Sequence, residues 1–200
     1  EISIFLGSDN SGVAILAGQI GALDYGSAIV GNDIVQTFAI ENRGTSSLNI
    51  SDITSSSTDF TVNSAITSIA IGVTENFEVA LSGVNEGTFN TVITVASDDQ
   101  DEALFDFSIT GTIAPLPVPE INLFLGSSNT GISITDDQQA LIDVGSTILE
   151  NDLIQTFSIE NTGTQVLNVS DISVAGTDYS VTSSINTIAI GATESFNITL

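Results

Sequence analysis

The sequence predicts an all-β protein built from two tandem copies of one sandwich domain. Residues 1–81 align without a gap with residues 120–200, and 42 of the 81 aligned pairs are identical. Segments rich in Val, Ile, Thr and Phe alternate apolar with polar positions, which is the pattern of half-buried strands. Turns containing Asn and Gly separate these segments. Roughly seven short strands in about 100 residues are typical of an antiparallel immunoglobulin-type sandwich.

Four segments of the first copy show the alternation most clearly. Because successive side chains of a strand point to opposite faces of the sheet, the apolar residues of each segment should share one face. In chain order these are Phe38 and Ile40; Phe77, Val79 and Leu81; Phe89, Thr91, Ile93 and Val95; and Phe105, Phe107 and Ile109. We expect these faces to form the core.

The chain divides into a first repeat at residues 1–112, a linker at 113–119 and a second repeat at 120–200. All three prolines of the chain lie in the linker, GTIAPLPVP, where alternating Pro favours an extended, semi-rigid backbone. We therefore expect the two domains to lie end to end.

The second repeat is incomplete, because Leu200 is the counterpart of Leu81 and nothing corresponds to residues 82–119. It therefore lacks the last two strands of the first repeat. A sandwich without them exposes open edges and one face of its core. We expect the parent chain to continue beyond Leu200.

Composition excludes several classes of function. There are 25 acidic residues against one basic residue, Arg43, and the chain has no His and no Cys. Nucleic acid is not an expected partner, because phosphates need cationic side chains to replace their counterions. A Ser-His-Asp triad, a Cys nucleophile and a His-bound zinc ion are ruled out by the missing residue types. We expect no enzyme activity, no direct membrane insertion and no certain cofactor.

The densest acidic cluster is a candidate calcium site. Asp98, Asp99, Asp101 and Glu102 lie in SDDQDE between the last two predicted strands. Calcium takes six to eight oxygen ligands, and carboxylates on one short loop can converge on a single ion. The alternative is a solvated hairpin turn, since no EF-hand spacing is present. A second pair, Asp136 and Asp137, is interpreted as surface because the first copy has Ala17 and Gly18 at these positions.

Several segments resemble a known family of repeats. GSAIVGNDIVQTFAIENRGTSSLNI, SIAIGVTENFEV and GTFNTVITVASDDQDEALFDFSITGT are similar to the choice-of-anchor D repeat, an immunoglobulin-like module related to the ASPM–SPD-2–Hydin group. The resemblance implies a place in large secreted or surface-anchored bacterial proteins, including adhesins of Bacteroidota. The family has no shared catalytic residues to transfer to this chain.

The leading hypothesis is a non-catalytic repeat in the stalk or filament of a bacterial cell-surface adhesin, serving attachment or gliding motility. Its expected partners are neighbouring repeats of the same chain, other surface proteins or polysaccharide, and its expected location is extracellular. One alternative is a ligand- or carbohydrate-binding accessory module of a secreted multidomain protein. Another is a packing module beside a catalytic domain elsewhere in the parent chain.

Overall fold

A computed structural model describes residues 1–19 and 21–200 and divides into two compact units, Glu1–Leu116 and Pro117–Leu200. Within these residues every regular element is a β-strand. No helix in the described part of the chain is long and apolar enough to cross a membrane. The all-β prediction is thereby confirmed.

The first unit contains the longer strands. In chain order its strands are β1 (Ile2–Leu6), β2 (Val13–Ile15), β3 (Leu23–Ile29), β4 (Ile34–Asn42), β5 (Leu48–Ser55), β6 (Phe60–Asn63), β7 (Ser68–Ile69), β8 (Thr74–Leu81), β9 (Gly87–Ser97) and β10 (Leu104–Ala114). They form two five-stranded sheets, ordered β2-β1-β4-β8-β6 and β3-β10-β9-β5-β7. Neighbouring strands are antiparallel except β3 and β10, which are parallel.

The predicted alternating faces form the core of this first unit. Phe38 and Phe77 on one sheet and Phe107 on the other are buried, with Phe38 ring centroids 5.3 Å from Phe77 and 5.4 Å from Phe107. The strand β10 reaches Ala114, two residues into the segment predicted as linker. The strand extends this far because the side chain of Ile113 is buried in the core.

Tyr25 connects the two sheets at a bulge in β3. The register with β10 shifts between Thr110 and Gly111, which leaves Tyr25 without a cross-strand partner. Its hydroxyl donates a hydrogen bond to the Val79 carbonyl and accepts one from the Gln36 amide at 3.1 Å. Burial raises the pKa of Tyr25 to about 12, although the bond from Gln36 acts in the opposite direction.

The second unit has shorter strands and one large sheet. Its strands are β11 (Ile121–Leu125), β12 (Ile132–Ile134), β13 (Ile154–Asn161), β14 (Leu167–Asn168), β15 (Ser180–Thr182), β16 (Thr187–Ile188) and β17 (Thr193–Thr199). The five-stranded sheet is ordered β12-β11-β13-β17-β15, and β14 pairs with β16. This sheet repeats the order of the first sheet of unit 1, strand for strand.

Two strands of unit 1 have reduced counterparts in unit 2. The segment 142–148, which corresponds to β3, is not a strand, and the counterpart of β5 is reduced to Leu167–Asn168. In unit 1, β3 pairs with β10 and β5 pairs with β9. Because residues 120–200 contain no counterparts of β9 and β10, these segments lack the partners that supply their ladder hydrogen bonds.

Candidate functional site

The acidic cluster lies on the hairpin that joins β9 to β10. The Ser97 amide donates to the Ala103 carbonyl at 2.9 Å and closes the turn, so that residues 98–102 project from the end of the sheet. The strands β9 and β10 are paired with each other along nearly their whole length, and the sheet therefore fixes the position of the turn.

Asp98 is bound to a neighbouring strand. Its carboxylate accepts hydrogen bonds from the Asn49 amide at 2.8 Å and from the Asn49 side-chain nitrogen at 2.7 Å. These two bonds hold the pKa of Asp98 below its ordinary value, since both favour the charged form. Asp98 therefore ties the hairpin to β5.

Asp99 is the buried member of the cluster, with a side chain only 3% exposed. Its Oδ2 forms an ion pair with the amino-terminal ammonium of Glu1 at 3.0 Å and has no other partner among residues 1–19 and 21–200. Burial raises the pKa of this carboxyl, but the hydrogen bonds from the ammonium and from Asp101 outweigh burial and leave the pKa lowered.

The remaining two acids of the cluster are Asp101 and Glu102. The Asp101 amide donates to Asp99 Oδ1 at 3.4 Å. Burial, together with the charges of Glu1, Asp99 and Asp101, raises the pKa of Glu102. Within residues 1–19 and 21–200, no group of three or more Asp, Glu, His or Cys side chains is placed to hold a metal ion. The carboxylates of Asp98 and Asp99 bind separate partners, and calcium binding stays a prediction.

A polar cleft of about 660 Å³ lies between this hairpin and the turn after β4. We call it the N-terminal cleft; its walls are Arg43–Leu48 on one side and Asp98–Asp101 on the other, with Glu1 and Asn42 at the base. Its surface is mainly polar, and its acidic wall favours a neutral or cationic occupant over an anion.

Asn42 organises the turn that forms one wall of the cleft. The side chain is fully buried, and its Nδ2 donates to the Ser46 carbonyl at 2.8 Å and to the Ile69 carbonyl at 2.9 Å. Its Oδ1 accepts a bond from the Gly44 amide at 2.9 Å. Asn161 repeats the arrangement in unit 2, binding the Gln165 and Ile188 carbonyls and the Gly163 amide. The sequence predicts turns that contain Asn and Gly but not this hydrogen-bond network, for which the identical Asn and Gly in both copies were the available signal.

Arg43, the single basic residue, also has structural partners. Its Nε donates to Glu41 Oε2 at 2.6 Å, and its guanidinium carbon lies 5.4 Å from the centre of the Phe5 ring. The bond from Arg43, and a second from Asn10, hold the pKa of Glu41 below its ordinary value. Thr162 replaces Arg43 in the second copy, so this contact is specific to unit 1.

Asp24 and Asp143, which are common to both copies, accept hydrogen bonds from the backbone two residues ahead. Asp24 accepts one from the Gly26 amide at 2.9 Å inside β3, beside the bulge, and Asp143 accepts one from the Gly145 amide at 2.8 Å. The acidic pair found only in copy two is exposed, and Asp136 accepts a bond from the Asp137 amide at 3.0 Å. These bonds are local and stabilise the backbone of the segment in which each acid lies.

Unit 2 has an apolar pocket of about 230 Å³ that includes Val144, Leu153, Phe157, Tyr179 and Leu200. The corresponding residues of unit 1 are Tyr25, Ile34, Phe38, Phe60 and Leu81, and all five are buried in the core. The pocket therefore corresponds to a core face that β9 and β10 cover in unit 1.

Unit 1 is an immunoglobulin-like β-sandwich, because two five-stranded, mainly antiparallel sheets pack around one core. A family model described as "HYDIN/CFA65/VesB-like, Ig-like domain" matches residues 17–111, most of the first repeat. The match supports an Ig-like family for this repeat, of which the second is a close copy. A search of the curated proteins found no match.

Solved structures resemble the chain only distantly. A protein of unknown function from Porphyromonas gingivalis W83 has a TM-score of 0.36 and 11% identity, covering 90% of this chain and 80% of that one. The secreted serine protease VesC from Vibrio cholerae has a TM-score of 0.36 and 12% identity, with 88% and 44% covered. The E. coli chaperone DraB has a TM-score of 0.36 and 12% identity, with 98% and 84% covered. This chain spans less than half of VesC, and likenesses this weak carry no argument about function.

Proposed function

We propose that the chain is a non-catalytic structural repeat of a long secreted bacterial surface protein, in which it forms part of a stalk. The observation that carries the proposal is where the shared residues lie. The pairs Phe38/Phe157, Ile40/Ile159, Asn42/Asn161 and Phe77/Phe196 are identical and buried in both units. Duplication has kept the framework of the fold.

The surface positions support the same proposal. The one basic residue and the acidic pair of copy two are not shared, since Arg43 corresponds to Thr162 and Asp137 to Gly18, although other exposed polar pairs such as Asp33 and Asp152 are identical. A ligand-binding module repeated for avidity would keep its contact residues in each copy. A spacer needs only the fold and a soluble surface, and the net charge of −24 discourages copies from associating.

The finer assignment rests on the sequence resemblance. The choice-of-anchor D relationship, the adhesin setting, the extracellular location and a role in attachment or gliding motility are proposals that follow from it. The absence of His and Cys from the sequence supports a role without catalysis.

An exchange experiment in the parent protein tests the stalk function. Residues 1–116 are replaced by an unrelated immunoglobulin-like domain of equal length, and cell attachment or motility is measured beside a strain in which these residues are deleted. A stalk predicts that the replacement keeps activity while the deletion reduces it. Loss of activity in both strains would contradict the stalk and favour a specific binding module, which a glycan array on the isolated chain would then examine.

A further inference from the structure

The N-terminal cleft of unit 1 corresponds to a place in unit 2 where a chain segment is already bound. The Val118 carbonyl accepts hydrogen bonds from the Thr164 amide at 2.7 Å and from the Gln165 amide at 3.2 Å. The Val118 amide donates to Thr164 Oγ1 at 3.1 Å. The Thr164 hydroxyl also donates to the Val118 carbonyl at 3.5 Å. Val118, the residue directly before Pro119, therefore makes four hydrogen bonds to the turn that follows β13.

The turn of unit 1 has the same internal geometry and leaves the same donors free. Arg43 donates to the Glu1 carbonyl at 2.9 Å, as Thr162 donates to the Glu120 carbonyl at 3.0 Å. Thr45 and Ser46 are the counterparts of Thr164 and Gln165. Neither amide has a hydrogen-bond partner among residues 1–19 and 21–200.

A glycine in each turn makes room for the incoming backbone. A Cβ on Gly163 would lie 2.4 Å from the Val118 carbonyl oxygen and 2.4 Å from the Glu120 nitrogen. A Cβ on Gly44 would lie 2.8 Å from the Glu1 nitrogen. Real side chains do not approach backbone atoms this closely, so Gly is required at both positions for a chain that passes over the turn.

We propose that the N-terminal cleft binds an extended, proline-containing segment directly ahead of Glu1, through Thr45 and Ser46. In unit 2 the bound residue, Val118, is followed by Pro119. Pro disfavours helical backbone in the residue before it and so keeps that residue extended. We expect the residue that binds Thr45 and Ser46 to be followed by Pro in the same way. Pro itself has no amide hydrogen, so it leaves no unpaired donor in the cleft. Residues 113–119 meet these requirements and carry no charge.

The acidic wall restricts the occupant further. Asp98, Asp99 and Asp101 face the turn across the cleft, so a segment with Asp or Glu would be repelled. When a segment is joined to Glu1, the ammonium becomes an amide. That amide can donate to Asn42 Oδ1 in the way that Glu120 donates to Asn161 Oδ1 at 3.3 Å. The inference concerns this binding alone and does not depend on the stalk function.

Hydrogen exchange measured by NMR tests the proposal. Residues 113–119 are copied ahead of Glu1 in one chain, and a Gly-Ser segment of equal length is placed there in the other. We expect the Thr45 and Ser46 amides to exchange about tenfold more slowly in the first chain, because each gains an acceptor. The Thr164 and Gln165 amides are the internal reference and should not change. Equal rates at Thr45 and Ser46 in the two chains would overturn the proposal.

A second variant tests the side-chain contact without disturbing the turn. Thr45→Val keeps the shape of the side chain and removes the hydroxyl. In the proposed complex this hydroxyl accepts a hydrogen bond from the amide of the valine that corresponds to Val118 in the added segment. That amide should then exchange faster by several-fold, and Thr164→Val should have the same effect on the Val118 amide. An added valine amide that exchanges equally slowly with and without the Thr45 hydroxyl would count against the assigned geometry.

Discussion

The two units have similar sequences but different degrees of burial. Leu81 is fully buried and its counterpart Leu200 is 41% exposed; Phe60 is 3% exposed and its counterpart Tyr179 is 40% exposed. In unit 1 these positions lie under the sheet that contains β9 and β10, whose counterparts are not present in residues 120–200. The comparison shows that the second sheet depends on the hairpin that it contains.

The first sheet forms in both units. The Phe38 and Phe77 rings stack at 5.3 Å, and their counterparts Phe157 and Phe196 stack at 5.6 Å. The Asn42 and Asn161 side chains also share three hydrogen bonds, and Asn161 Oδ1 accepts one more from the Glu120 amide. The first 81 residues of a repeat therefore determine one sheet and its connection to the neighbouring turn.

Supplying the hairpin should have the largest effect on this comparison. We expect that fusing a copy of residues 82–114 after Leu200 stabilises unit 2 by roughly 5 kcal/mol, since several half-exposed apolar side chains become buried. Residues 142–148 should then pair as β3 does, which hydrogen exchange would show as new amide protection. A control fusion carries polar residues in place of the apolar face of β10. Equal stability of the two fusions would contradict the role assigned to the hairpin.

Truncating the central aromatic should affect the units unequally. Phe38→Ala should destabilise unit 1 by about 3–5 kcal/mol, because the ring is enclosed by both sheets. Phe157→Ala should cost unit 2 roughly half of that, because the counterpart of Phe107 is missing and less packing is lost.

The two tyrosines of the chain allow each unit to be followed separately. Tyr25 lies in unit 1 and Tyr179 in unit 2. Urea unfolding is monitored by tyrosine fluorescence in a Tyr179→Phe background for unit 1 and in a Tyr25→Phe background for unit 2. Equal losses for Phe38→Ala and Phe157→Ala would mean that the second sheet adds nothing around this ring.

Much of the fold could be predicted from the sequence because its signals are local. The alternation of Phe77, Val79 and Leu81 fixes which face of β8 is buried, and all three side chains lie in the core. The repeat itself indicated two units. Each of these features depends on residues close together in the chain.

The rest depends on contacts between distant residues. Nothing in the sequence around Tyr25 indicates its role in the core. Only the pairing of β3 with β10 places Tyr25 in a bulge, from which its hydroxyl binds the Val79 carbonyl. The calcium prediction for the acidic cluster stays a prediction, but the partners of its acids, Asn49 for Asp98 and Glu1 for Asp99, were not visible in the sequence. The sequence shows how many carboxylates lie in the loop, whereas the groups that bind them belong to residues that are distant in sequence.

Removing the buried amide should affect both units alike. Asn42→Ala leaves the Ser46 and Ile69 carbonyls and the Gly44 amide without their partner, as Asn161→Ala does in unit 2. We expect each substitution to destabilise its own unit by about 1–3 kcal/mol, the cost of unpaired buried polar groups. The same urea assay measures both. A much smaller loss in unit 2 would show that this network also requires the missing hairpin.

The smallest effect should be a pH dependence confined to unit 1. Asp98 has a folded pKa below its ordinary value of 3.8, so the unfolded chain binds more protons between these two values. The stability that Asp98 contributes is therefore present above about pH 4 and is lost as the pH falls through the folded pKa. Asp98→Asn removes this titration and should flatten the acid limb of the melting temperature of unit 1. Unit 2 contains no counterpart of Asp98, and its acid limb should not change. An unaltered limb in unit 1 would show that the two bonds from Asn49 do not favour the charged carboxylate, and that other acids of the unit set its acid sensitivity.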